Sequence, residues 1–148
     1  MGQLSRVILG QMGHGRDYPF ILRKNQVRIE VHADSVRTGQ AAAAAAGEII
    51  AAAVASQGSA RIVIGTGPSQ NTLIDALVRL PLIDWSSVEV FHLDEYVGIP
   101  PGHAASFRRW LKERVADVVH PAGVHYLNGD AGDPDAEGRR YAGLLDAA

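Results

Sequence analysis

Cysteine is absent from the 148-residue chain, which excludes disulfides, thiolate nucleophiles and Cys-ligated zinc or iron–sulfur centres. No uninterrupted apolar run approaches the roughly 20 residues that span a bilayer, because Gly47-Glu48 breaks the alanine tract 41–46. A charge excess of either sign is also missing, since 14 basic and 16 acidic side chains leave a net −2. The basic pairs Arg108-Arg109 and Arg139-Arg140 fall within expected helices, where solvated faces account for them better than a phosphate-tracking stripe. Neither nucleic acid nor membrane is therefore an expected partner, and the cytoplasm is the simplest location. His32, His92, His103, His120 and His125 lack HxxxH or HExxH spacing, so no metal and no cofactor are expected. With 47% apolar and 20% charged residues the composition is that of an ordinary globular protein, and its length suits one domain with a sizeable core.

Residues 1–26 place Gly10, Gly13 and Gly15 close together without a sustained period and read as a tail or leader of unassigned role. Val7-Ile8-Leu9 is shorter than the roughly 7–15 residues of a signal-peptide core. Regular patterning begins with "VRIEVHA" (27–33), whose alternating Val27, Ile29 and Val31 predict a first strand. Asp34-Ser35 supply N-cap candidates for an alanine-rich helix ending near Gly58. "RIVIGTG" (61–67) reads as a central strand buried on both faces, and Pro68-Ser69 open a second helix that Pro81 stops. "SVEVFHL" (87–93) predicts a third strand, residues 103–119 a third helix, "VHYLNG" (124–129) a fourth strand and 134–147 a last helix. Strict alternation of strand and helix predicts an α/β fold, a parallel sheet with helices on both faces in a Rossmann-like three-layer arrangement. The chain stops at "YAGLLDAA" without a capping signal, which leads us to expect a truncated domain.

Ligands of open α/β sheets bind beyond the carboxyl ends of the strands. Two such exits draw attention. "GTGPSQN" (65–71) sets glycines and a hydroxyl where free N–H groups and a helix dipole favour an anion. It lacks the P-loop lysine and the third glycine of a dinucleotide fingerprint, and Ser69 as a plain helix cap is the bland alternative. The second exit, "FHLDEYVGIP" (91–100), carries Asp94-Glu95, for which a solvated or capping pair is the plain alternative. His92 reads as a buried, hydrogen-bonded ring, and His103 as a residue that could line a pocket.

"FHLDEYVGIPPGHAASF" (91–107) resembles the Asp-Glu-Tyr-Val-Gly segment of the glucosamine-6-phosphate deaminase/isomerase family. "IVIGTGPSQNTLIDAL" (62–77) is similar to that family's phosphate loop, and "VHYLNGDAGDPDAEGRRY" (124–141) to the segment that follows. The resemblance covers residues 27–148 and implies the N-terminal portion of such a domain. It implies conversion of glucosamine 6-phosphate to fructose 6-phosphate and ammonia, with Asp94 as the base moving a proton between C2 and C1 and Glu95 as a neighbouring electrostatic group. Thr66, Gly67, Ser69 and Gln70 would hold the phosphate. Pro68 stands where many members have a glycine, deleting one backbone donor. The family's Asp-Gly-His loop, which opens the sugar ring, is not in the sequence, so the chain alone is expected to be poorly active. The resemblance allows a homo-oligomer. Two alternatives remain: a 6-phosphogluconolactone hydrolase, in which Arg usually follows the Asp-Glu where Tyr96 stands here, and a sensor domain that binds a sugar phosphate without turnover.

Overall fold

The computed structural model describes residues 20–24 and 27–147, in two units, Met1–Ala33 and Asp34–Ala148. Most of the stretch read as a tail or leader, residues 1–19, 25 and 26, lies outside the described residues.

In the first unit β1 (Phe20–Lys24) pairs antiparallel with β2 (Val27–Val31), in the register Phe20↔Val31 and Leu22↔Ile29. Residues 27–31 are thus a strand as their alternation predicts, but not the opening strand of a parallel sheet. The physical reason is the link. Two residues separate β1 from β2, a length that suits an antiparallel hairpin, whereas a parallel crossover needs a dozen or more.

The second unit begins with α1 (Ser35–Gln57). Asp34 caps it, its carboxylate accepting the Arg37 N–H at 2.8 Å, and the Gly58 N–H closes it onto the Val54 carbonyl at 2.8 Å. Gly39, Ala43, Gly47 and Ile50 form its buried face. The small residues permit close approach to α2 (Asn71–Leu77), for a Cβ on Gly39 would lie 2.6 Å from the Thr72 backbone. By length and composition α1 is also long and apolar enough to cross a membrane, although Gly47-Glu48 interrupts its alanine tract. The same properties fit a helix laid along its neighbour.

β3 (Ala60–Ile64), β4 (Val88–His92) and β5 (Gly123–His125) form a parallel sheet in that order. Among the described residues β4 is therefore the central strand, whereas β3, expected at the centre and buried on both faces, lies at an edge with Arg61 and Val63 exposed. Side chains alternate across β4. Val88, Val90 and His92 are fully buried, and the two valines share a core with Ile50 of α1, Ile74 of α2 and Leu111 and Val115 of the helical segment 107–119. Phe91 points to the other face and meets Tyr141 edge-on, 6.3 Å between ring centres, on α5 (Pro134–Asp146). The segment 107–119 comprises α3 (Phe107–Leu111), a widened π turn at Lys112–Ala116 and α4 (Asp117–Val119). It starts at Phe107 rather than 103, because Ser106 is its N-cap.

The strand expected over 124–129 is β5, three residues long rather than six. The backbone from 126 onward is claimed by other partners: Tyr126 O accepts from Arg140, Asn128 N–H donates to Glu137, and Gly129 O accepts from Gly98. With those groups engaged, ladder pairing cannot continue.

Candidate functional site

β3 and β4 run parallel with Ile64 opposite His92, and the Leu93 N–H still donates to the Ile64 carbonyl at 3.2 Å. The loops after both strands therefore leave side by side from the carboxyl edge.

The first loop turns at Gly67, whose φ of 110° suits a residue without Cβ, and enters a short 3-10 turn at Pro68–Gln70 ahead of α2. That turn has no side-chain cap, so Ser69 does not cap it. Ser69 is exposed and Gln70 half-buried. The Thr66 hydroxyl oxygen is buried, as is Asn71 Oδ1, and neither has a hydrogen-bond partner among the described residues. Orphaned buried oxygens at a strand exit are costly unless a further group meets them.

At the second exit the two carboxylates part company. Asp94 is exposed and, among the described residues, no hydrogen bond or ion pair engages it. Glu95 is saturated. One oxygen accepts the Tyr96 and Phe107 N–H groups at 3.0 Å each, and the other accepts the Ser106 hydroxyl at 2.7 Å and the Arg108 N–H at 2.8 Å. Burial alone would raise its pKa, but these donors, the Arg108 N–H foremost, outweigh burial and hold it below the ordinary glutamate value. Glu95 thus caps α3 from outside the helix, supplying the first-turn N–H groups with an acceptor.

Beneath this pair lies His92, 0% exposed, with neither ring nitrogen hydrogen-bonded among the described residues. Desolvation pulls its pKa below the usual histidine value, opposed by Glu95 and Asp94 and aided by Arg108, so the ring is neutral near pH 7. The expectation of a buried ring holds, while its expected hydrogen bond is missing. His103 is exposed and spends Nδ1 on the Ala105 N–H at 3.1 Å, closing a local turn. Among the described residues, no group of three His, Asp or Glu is placed to hold a metal. A cleft of about 440 Å³ between α1 and α2 contains no residue of either exit loop.

The family described as glucosamine-6-phosphate isomerases/6-phosphogluconolactonase matches residues 33–148. The chain belongs to this family. Among curated members it is 36% identical over 103 residues to glucosamine-6-phosphate deaminase 1 of Giardia intestinalis, covering 66% of this chain and 39% of that protein. It is 43% identical over 63 residues to the glucosamine-6-phosphate deaminase of an Exiguobacterium species, covering 43% of this chain and 25% of the relative. A solved monomeric glucosamine-6-phosphate deaminase shares the fold with a TM-score of 0.69 at 24% identity, over 77% of this chain and 48% of its own. A 6-phosphogluconolactonase from Shewanella baltica does so with 0.68 at 23%, over 76% and 48%. The chain spans about half the length, or less, of the family members it matches.

Several residues around the acidic exit escaped the sequence reading. Arg108, expected on a solvated face, is half-buried. Its guanidinium lies 5.1 Å from the Tyr126 ring centre and donates to Asn128 Oδ1 at 2.9 Å. Glu137 is only 9% exposed and takes two bonds from Arg140, at 2.7 and 2.6 Å. The i, i+3 spacing of Glu137 and Arg140 was a visible signal, but the same spacing is commonplace on solvated helices.

Proposed function

We propose that this chain contributes the phosphate loop and the proton-transfer base of a glucosamine-6-phosphate deaminase/isomerase site. The observation that carries the reading is the adjacency of the β3 and β4 exits, which sets an exposed carboxylate, Asp94, beside a turn whose Thr66 hydroxyl has no hydrogen-bond partner among the described residues. Thr66, Gly67, Ser69 and Gln70 would grip the phosphate, so that binding at one end of an open-chain sugar orients C1 and C2 at the other. Asp94 would take the C2 proton of the aldose-amine and deliver it to C1 while an amine proton passes to O1, giving a ketose-imine. Water then adds to the imine carbon and ammonia departs, leaving fructose 6-phosphate. Glu95, expected as an electrostatic neighbour, would serve by holding the Asp94 loop, because its oxygens are already engaged by four donors. On this reading the protein works in the cytoplasm on a small sugar phosphate without nucleic acid, membrane or cofactor, and a homo-oligomer is compatible with it.

Titration of the 15N-labelled chain with glucosamine 6-phosphate tests the proposal. Saturable amide shifts in residues 65–70 and 93–99 support it, and shifts that bypass both loops overturn it. Turnover of 6-phosphogluconolactone in preference to glucosamine 6-phosphate would move the assignment to the lactonase branch, against which Tyr96 argues. Binding at both loops without any turnover, in a domain of the family's full length, would favour a sensor.

A further inference from the structure

Among the described residues Glu137 is the one buried carboxylate, and the proposed reaction gives it no part. Its partners are specific. Oε1 accepts the Asn128 N–H at 2.8 Å and Arg140 Nη2 at 2.6 Å, Oε2 accepts Arg140 Nε at 2.7 Å, and Arg140 Nη2 also reaches the Tyr126 carbonyl at 2.8 Å. The pair on α5 therefore grips the backbone of residues 126–128 from one side. From the other side that same segment meets the acidic loop: Gly129 O accepts the Gly98 N–H at 2.6 Å, and a Cβ at position 129 would lie 2.8 Å from Glu95 Cγ and still nearer the Tyr96 carbonyl oxygen. Asn128 completes the tie through Arg108, whose own N–H holds Glu95. Glu95, Val97, Asn128, Gly129 and Glu137 together line a small cleft of about 120 Å³.

We propose that Glu137 is a positioning residue for the Asp94 loop, acting through the backbone of residues 126–129. The inference deepens the proposed reaction by naming what fixes its base, and it rests on that reading only for the role of Asp94. Chain connectivity alone leaves residues 94–99 tethered at two ends, whereas a carboxylate acting as base must be held within hydrogen-bond reach of a carbon-bound proton. The α3 cap fixes the loop at Glu95. The Gly98–Gly129 bond fixes its far end, and that bond is only as rigid as the 126–129 backbone that Glu137 and Arg140 hold.

The test needs no sugar. In the full chain, hydrogen exchange at the Gly98 amide and the 13C resonance of the Asp94 carboxyl are compared in wild type, Glu137→Ala and Glu137→Gln, with amides of β3 and β4 as internal reference. Glu137→Ala should speed Gly98 exchange by about tenfold or more, a change of roughly 1.4 kcal/mol in local opening, and shift or broaden the Asp94 signal. Glu137→Gln, which keeps an acceptor for Asn128, should restore most of both. Unchanged Gly98 exchange and an unchanged Asp94 signal in Glu137→Ala would overturn the proposal, as would a loss shared equally by β3 and β4. If Glu137→Ala does not fold, Arg140→Met, which removes the grip on Tyr126, replaces it under the same criteria. A failed sugar titration leaves this result standing, and a failed exchange experiment leaves the Asp94 assignment standing.

Discussion

The Ser106 hydroxyl donates to the Glu95 carboxylate at 2.7 Å, across eleven residues of chain. That bond, with those from the Phe107 and Arg108 N–H groups, joins the loop leaving β4 to the first turn of α3. Removing the carboxylate strands four donors, three of them in a half-buried setting. Glu95→Ala should therefore cost about 2–4 kcal/mol of stability, read as a lowered denaturation midpoint, with Glu95→Gln losing distinctly less.

Its neighbour behaves in the opposite way. Asp94 is exposed and makes no hydrogen bond or ion pair among the described residues, so Asp94→Asn should leave stability within about 0.5 kcal/mol of wild type. Thermal melts of Asp94→Asn and Glu95→Ala side by side separate the two roles, since a pair of equivalent surface carboxylates would respond alike.

Gly129 packs against the acidic loop so closely that a Cβ would collide with the Tyr96 carbonyl oxygen and Glu95 Cγ. Gly129→Ala should destabilise by about 1–3 kcal/mol and displace the amide resonances of residues 95–99. Gly132→Ala, at a position with open space, is the control that should do neither.

His92 predicts a pH dependence. Burial depresses its folded pKa below the ordinary histidine value of 6.5, so between the folded and unfolded pKa the unfolded chain binds the extra proton. Stability should consequently fall as pH drops below about 6.5 and level off only beneath the folded pKa. His92→Leu, which removes the buried titrating group, should flatten that slope in denaturant melts at stepped pH. Glu137 acts at a lower range. The Arg140 guanidinium, ahead of the Asn128 N–H, brings its pKa to about 2, so its contribution is intact above the ordinary glutamate value, declines as pH falls below that value and is gone once pH has fallen through about 2.

The α/β class, the parallel sheet and the elements of the second unit were legible in the sequence because each rests on local signals. Asp34 and Gly58 bracket α1, and the short apolar runs of β3 and β4 end at their loops. Non-local choices were harder to read. The alternation in residues 27–31 specifies a strand but says nothing of which edge it joins, and the nearby "FILRK" decided that. "VHYLNG" has strand-like residues, yet Arg140, Glu137 and Gly98 claim its second half from positions distant in sequence. At the candidate site, Asp94-Glu95 was visible as an acidic pair, but the division of labour between them depends on where the α3 N-terminus lands. Arg108 looked like its solvated neighbour Arg109, and only the fold places it over Tyr126.

The central claim, that Asp94 is the base at a sugar-phosphate site, is tested most directly by ammonia release from glucosamine 6-phosphate in a domain of the family's full length containing this chain, with and without Asp94→Asn. The account predicts turnover in the parent and a loss of roughly 10²–10⁴-fold in the variant, with the folded structure retained. Equal rates in the two proteins would contradict it.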